Sequence, residues 1–396
     1  MDVRREKHRP HPGRAPDESQ HTSAGPRALR NGIASLGLLC LSLGAGLLIS
    51  ELLVRWVAPQ QLILVRPDMW QPVDTLGWVN RPNADTHVNT GERTVRWITD
   101  DRGFRVPPHG TPKGEHSILI LGDSFMAALQ VDYEQSLPGL MEEGLKEALG
   151  RPVAVHNSAV TGWDPPHYLL KARRMLQETS FDLVLVAVYL GNDIVPGRID
   201  TYEPRSPTEF ATLRLPTELS WSEFTEAFAR PVNDHLKTRS HLFLFLKNNL
   251  ELLLIRLDLT ERYMPWGVQQ ENRDAEAWGV TANILADVAS HGEKEGTPTL
   301  FVLIPSEHQV NPRALRQHAQ AMGYDPDTLD PEQPSRIMTE EMQDRGLWSL
   351  DVLPALRAAH DDGRQVYGSV DPHFTPAGHE IVWEAIRADV IGGLQL

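Results

Sequence analysis

From Ser117 onward, short apolar runs alternate with segments in which apolar residues recur every three or four positions, the pattern of βαβ units and a parallel sheet. Ile118 to Leu121, Val153 to Val155, Leu183 to Leu190 and Leu300 to Ile304 are continuous enough to be strands buried on both faces. Between the first two, Ser136 is placed to cap a helix with Leu137, Leu140, Met141, Leu145 and Leu149 on one face, stopped by Gly150. Upstream, from about Pro59 to Gly114, the runs are short and broken by turns, as at Leu76-Gly77-Trp78 and Arg81-Pro82-Asn83. The strand-like Thr94 to Ile98 completes what reads as a small β-rich lead-in. From Asn192 to about Ala275 the alternation breaks down. Within that stretch, His241 to Leu259 reads as an amphipathic helix over the core, near a substrate mouth or a membrane surface, because its charges and short apolar blocks argue against a second span.

One run differs from the rest. Gly32 to Ser50 is uncharged and, continued by Leu52-Leu53-Val54 after Glu51, is long enough to cross a bilayer, with Trp56 where an interfacial aromatic belongs. Arg4, Arg5, Lys7, Arg9, Arg14, Arg27 and Arg30 precede it, whereas only Arg55 and Arg66 follow closely. That asymmetry places the N-terminus in the cytoplasm and the bulk of the chain outside, as a single-pass protein of the cell (inner) membrane. A cleavable signal peptide would need a small-x-small exit, for which Ala45-Gly46-Leu47 is a weak candidate, and a lipoprotein signal at Cys40 would need a small residue where Leu39 stands. The expected organisation is a disordered cytoplasmic tail over 1–31, a transmembrane helix over 32–54, the lead-in over 55–115 and an α/β domain over 116–396 with a helical insertion at about 195–275.

Charge and cysteine content narrow the function. A formal net charge of -15, with no basic cluster beyond the N-terminus, argues against a grip on nucleic-acid phosphates. Cys40, inside the apolar run, is the only cysteine, so no disulfide can form within the chain.

Four short pieces carry chemistry together: Gly122-Asp123-Ser124-Phe125 after the first strand, Asn157-Ser158-Ala159-Val160-Thr161-Gly162 after the second, Gly191-Asn192-Asp193 after the third, and Asp371-Pro372-His373 near the C-terminus. In an open parallel sheet, ligands bind beyond the carboxyl ends of the strands, so the first three face one crevice. A serine nucleophile needs a base within about 3 Å and donors that meet the developing oxyanion. Ser124 sits at a strand-to-helix turn where Gly122 permits tight geometry and a helix N-terminus favours negative charge. Gly162 offers an unobstructed backbone N–H and Asn192 a side-chain amide. His373 is the candidate base, and Asp371, two residues earlier, the residue that fixes its tautomer.

In order and content these blocks resemble the SGNH (GDSL-like) hydrolase superfamily. The resemblance spans roughly Ile118 to Leu394 apart from the insertion. It implies a three-layer α/β sandwich with a flavodoxin-like parallel sheet, a nucleophile at Ser124, an oxyanion hole made by the amide of Ser124, Gly162 and Asn192, and a final block in which Asp371 and His373 complete the triad. Asp-x-His followed by Phe-Thr-Pro-Ala-Gly-His, where Asp-x-x-His is the more familiar spacing, is similar to the membrane-tethered branch that includes exopolysaccharide O-acetyltransferases. The implied function is a serine esterase acting on an acyl, in particular acetyl, ester of an extracytoplasmic glycan or lipid. An O-acyltransferase modifying an exported polysaccharide uses the same triad, and a catalytically idle glycan-binding or assembly protein would keep the fold. The implied partners are an acylated carbohydrate or lipid substrate and the membrane, with no cofactor and no metal. Blander readings hold for several neighbours: Asp123 and Asp193 as turn or loop supports, His156 and His308 as structural histidines, Trp163 and Tyr189 as either pocket lining or core. His379 and Glu380, drawn with Asp371 and His373, resemble a metal cluster only on paper, because a helix starting at Thr375-Pro376 carries His379 away.

Overall fold

The computed structural model describes residues 26–60, 62, 68–73, 75–194, 230–237, 239–257 and 264–394. The disordered-tail expectation over 1–31 therefore falls mostly outside the described residues, as does the first part of the insertion, 195–229. The chain divides into two compact units, Met1–Leu53 and Val54–Leu396. In the first, the described residues belong to helix α1, Pro26–Val57. Its apolar stretch Ile33–Val57, 25 residues, is about 37 Å long at 1.5 Å per residue, against a hydrocarbon core of about 30 Å. It is long and apolar enough to be a membrane anchor or a signal segment.

The second unit is built on a five-stranded parallel sheet. Its strands are β5 (His116–Leu121), β6 (Val153–Asn157), β7 (Leu183–Tyr189), β8 (Thr299–Ile304) and β9 (Ser349–Asp351), in the order β6-β5-β7-β8-β9. Counted from the first parallel strand this is the flavodoxin order, 2-1-3-4-5, so the fold is the expected α/β sandwich. The first four strands coincide with the apolar runs of the sequence because the central ones have no solvent face: every residue of β8 is buried, as are Leu183 to Val188 of β7. Successive side chains serve opposite layers. Leu119, Leu121, Val184, Val186, Val188, Phe301 and Leu303 enter one hydrophobic cluster. Ile118, Ile120, Leu183, Leu185, Ala187, Leu300, Val302 and Ile304 enter the other.

The lead-in forms two antiparallel hairpins, β1 (Trp70–Val73) with β2 (Gly77–Asn80), and β3 (Asp85–Asn89) with β4 (Thr94–Ile98). Their apolar residues Met69, Trp70, Leu76, Val88 and Trp97 share the first cluster with the sheet and with Tyr168 and Leu169 of the helix Pro165–Glu178.

On the opposite face, the predicted helix is present as Leu137–Leu149, ended by Gly150 at φ 68°. Its start differs from expectation. Ser136 occupies the cap position, but its hydroxyl donates to the Tyr133 carbonyl, and the Leu137 N–H is instead accepted by Nδ1 of buried His379. Burial pushes the His379 imidazole down to about 3, so it is a neutral acceptor at ordinary pH. Glu380, its neighbour, faces away and pairs with Arg364. Thr375 caps the C-terminal helix Pro376–Gly393 by accepting from the Gly378 N–H.

Candidate active site

The site lies at the carboxyl end of β5, where neighbours on both sides open a crevice. Gly122 lets the chain leave the strand against Met126, whose side chain would lie 2.8 Å from a Cβ there. Asp123 then caps the next turn, its carboxylate accepting from the Phe125 N–H at 2.9 Å. The helix that follows is a single turn, Ser124–Ala127, closed by Ala128 in the left-handed region at φ 49°. A four-residue turn carries little macrodipole, so any electrostatic help to Ser124 comes from nearby N–H groups rather than from a long helix.

Ser124 and His373 are brought together across 249 residues of chain, with His373 Nε2 2.7 Å from Ser124 Oγ. The other ring nitrogen, Nδ1, is hydrogen-bonded to Asp371 Oδ1. Asp371 is buried, and both its carboxylate oxygens are used, because Oδ2 accepts from Gln130 Nε2 at 2.8 Å. The block is a tight loop in which the His373 N–H donates to the Asp371 carbonyl and the Gly368 N–H to the His373 carbonyl. Phe125 packs its ring against the imidazole at 4.7 Å between centroids. Ser124 Oγ also lies 3.3 Å from Asp123 Oδ2. That contact is longer than the bond to His373, and Asp123 already serves the Phe125 N–H. A hydroxyl held by an imidazole, itself held by a buried carboxylate, can lose its proton to Nε2 when it attacks an electrophile.

Gly162 and Asn192 follow β6 and β7, the strands flanking β5. Gly162 has φ 80°, a conformation that favours glycine, and a Cβ there would stand 3.3 Å from the Trp78 ring. The loop is fixed by Trp78 Nε1 donating to the Thr161 carbonyl at 2.9 Å and by the Val160 N–H donating to the Gly122 carbonyl. Asn192 is exposed, whereas its neighbour Asp193 is buried. Asp193 Oδ2 accepts from the Tyr189 N–H and the Tyr168 hydroxyl, at 2.8 and 2.9 Å, so the acid holds the loop that presents the amide. Burial, reinforced by the charge of Asp123, pushes the Asp193 carboxyl well above the ordinary range. Burial likewise raises Asp123.

Of the residues left open by sequence, Trp163 is fully buried, stacks on His167 and donates to the Trp78 carbonyl, and so belongs to the core. Tyr189 is half-buried and lines a cavity of about 570 Å3 together with Asn192, Pro265, His308, His318 and Pro372. His308 stands at its wall, pushed down to about 4 by burial and by His318. His156 lies between the rings of Phe104 and Phe181.

Three supporting residues were not singled out in sequence. Arg105, fully buried, donates to the carbonyls of Ala127 (2.9 Å), Ala128 (2.5 Å) and Val131 (2.6 Å). Asn157 Nδ2 takes the Met126 carbonyl. Together they fix the turn between Ser124 and Gln130. Burial lowers the Arg105 guanidinium to about 10, leaving it charged at neutral pH. Gln130 is the only one of these that touches Asp371. Replacing it by Leu keeps the volume and removes the donor, leaving one oxygen of a buried carboxylate unpaired. A hydrogen bond to a charged group contributes about 1.5–3 kcal/mol, so Gln130→Leu should lower kcat roughly ten-fold or more, with KM little changed. Steady-state kinetics on a chromogenic acetate ester measures this, and an unchanged kcat would detach Gln130 from the site.

Residues 263–393 match the family profile described as the SGNH hydrolase-like domain of the acetyltransferase AlgX. That stretch of the chain is similar to the SGNH hydrolase-like domain of AlgX. The matched residues include Asp371 and His373, whereas Ser124, Gly162 and Asn192 lie outside them. No curated protein matches the chain significantly. Among solved structures, the chain is similar to TesA, at 14% identity over 70% of this chain and 99% of that one, TM-score 0.36. It is also similar to a member of the lipolytic G-D-S-L family from Veillonella parvula, at 8% identity over 69% and 97%, TM-score 0.36. A third is the acetyl xylan esterase AlAXEase, at 12% identity over 69% and 99%, TM-score 0.38. Likeness this distant leaves the function to be read from the site.

Proposed function

We propose that the chain is a serine esterase that removes an acyl group, in particular acetyl, from an extracytoplasmic glycan or lipid, with Ser124 as nucleophile, His373 as base and Asp371 as its orienting acid. The observation that carries the reading is the continuous arrangement of Ser124 Oγ, His373 Nε2 at 2.7 Å, and buried Asp371 on Nδ1. Ser124 Oγ attacks the ester carbonyl as its proton passes to His373 Nε2. The carbonyl π pair moves onto oxygen, where the amides of Ser124 and Gly162 and the side chain of Asn192 receive it. As the intermediate collapses, the C–O bond to the alcohol breaks and His373 returns the proton to the leaving oxygen. An acyl-Ser124 remains, and a second hydroxyl activated by the same imidazole resolves it.

If that hydroxyl belongs to a sugar instead of water, the protein is an O-acyltransferase. Two observations favour this second reading: the matched family is described as an acetyltransferase, and a cavity of about 570 Å3 beside Asn192 gives an acceptor a place to wait. In either reading the helix Pro26–Val57 is a single-pass anchor of the inner membrane, with the arginine-rich N-terminus in the cytoplasm and the catalytic unit outside. The test is turnover of 4-nitrophenyl acetate by the purified full chain in detergent, with and without a soluble oligosaccharide. Release of 4-nitrophenol with acetate as sole product supports the esterase, and acetylated sugar supports the transferase. No turnover and no acyl-enzyme would leave the glycan-binding reading standing.

A further inference from the structure

The helix His241–Arg256 and the turn after it carry an apolar stripe without a structural partner among the described residues. Leu246, Leu250, Leu253 and Leu257, spaced four, three and four apart, fall on one helical face and are 58%, 55%, 51% and 58% exposed. Soluble surfaces rarely leave a contiguous apolar row of this kind open to water. The opposite side is accounted for: His241 and Leu244 are buried, and the helix lies beside Pro312–Met322.

What covers the stripe follows from where the helix begins. Nδ1 of His241 accepts the Gln60 N–H at 2.8 Å, Asn248 Nδ2 donates to Gln60 Oε1 at 3.2 Å, and Arg55 donates to the Arg239 carbonyl at 3.3 Å. Gln60 is three residues past Val57, where the candidate span Ile33–Val57 ends. Three residues reach at most about 10 Å. The headgroup zone on each side of the hydrocarbon core is about 5–8 Å deep. A helix whose first two turns are bonded to Gln60 therefore starts at the bilayer surface if Ile33–Val57 crosses it. Trp56, 83% exposed, marks the same level as an interfacial aromatic.

We propose that Leu246, Leu250, Leu253 and Leu257 lie against the outer face of the bilayer that the N-terminal helix crosses, making this helix a second, in-plane membrane contact. The proposal rests on the anchor reading. Pro312–Met322, which packs beside this helix, supplies Ala314, Gln317 and His318 to the cavity next to Asn192. With packed helices about 8–10 Å apart, the docked helix holds that cavity one helix layer from the lipid, suited to an ester carried on a membrane-bound molecule.

The test uses the full chain in vesicles of phosphatidylethanolamine and phosphatidylglycerol. An environment-sensitive fluorophore is attached to one cysteine at a time: native Cys40, or Leu250→Cys, Leu253→Cys or Glu295→Cys in a Cys40→Ala background. Acyl chains bearing nitroxides serve as the quencher. Quenching several-fold stronger at 250 and 253 than at 295, with Cys40 quenched as the inserted control, is the expected result. Cys40 quenched with 250 and 253 at the level of 295 would overturn the docking while leaving the anchor intact. Cys40 unquenched would overturn the anchor reading and the docking with it. Lipid-independent self-quenching at 250 and 253 that scales with protein density would overturn it in favour of a second copy of this chain.

Discussion

Ser124→Ala should abolish turnover of 4-nitrophenyl acetate to within the background rate while leaving the fold unchanged. Among the described residues the Ser124 hydroxyl bonds to His373 Nε2 and, at a longer distance, to Asp123 Oδ2, and it fills no core position. Its loss removes the attacking atom and little else. His373→Ala should lose nearly as much, because among the described residues no other side chain stands within hydrogen-bonding distance of Oγ with both a free electron pair and an orienting acid. The double variant should be scarcely worse than either single one, since residues that act as one catalytic unit are strongly non-additive. Asp371→Ala should be milder, because the imidazole keeps its contact with Ser124 and loses only its orientation. A fluorophosphonate should label the wild type and spare Ser124→Ala, with circular dichroism showing both folded. Labelling that persists in folded Ser124→Ala and maps to another serine would remove Ser124 from the mechanism.

The sheet was legible in sequence where burial is complete on both faces. Ile118–Leu121, Val153–Val155, Leu183–Leu190 and Leu300–Ile304 could be read because strands without a solvent side become continuous apolar runs. Strand β9, Ser349–Asp351, was missed: three half-buried residues at the sheet edge leave no periodicity to detect. The candidate site was legible because its parts follow strands in short blocks of residues with distinctive chemistry. Its supports were not. Arg105 acts through backbone carbonyls that any sequence would supply, and Gln130 is a neutral amide in an apolar stretch, Phe125 to Val131. Only the three-dimensional turn closed by Ala128 shows that these residues meet Asp371 and the turn that carries Ser124. The length of the helix after Ser124 was not legible either, because nothing in the sequence reveals that a left-handed residue ends it after one turn.

Asn192→Ala should lower kcat by roughly 10²- to 10³-fold, the loss expected when one donor of an oxyanion hole is removed, and should change KM little. The side chain is exposed at the carboxyl end of β7, next to the crevice that holds Ser124, and makes no hydrogen bond among the described residues that its removal would break. The conformation of the loop depends on its neighbour instead, because buried Asp193 binds the Tyr189 N–H and the Tyr168 hydroxyl. Stability and kinetics therefore separate at adjacent positions. Asn192→Ala should leave the melting temperature unchanged and cost rate. Asp193→Ala should lower the melting temperature by removing the acceptor of the Tyr189 N–H and the nearer of the two acceptors of the Tyr168 hydroxyl, with loss of rate as a consequence. Asn192→Asp sharpens the test, since a carboxylate of nearly the same shape points negative charge where the intermediate develops its own, and it should be slower than Asn192→Ala at neutral pH. If Asn192→Ala and Asn192→Asp both keep the wild-type kcat, the amide does not face the reacting carbonyl, and the hole must be built from backbone N–H groups alone.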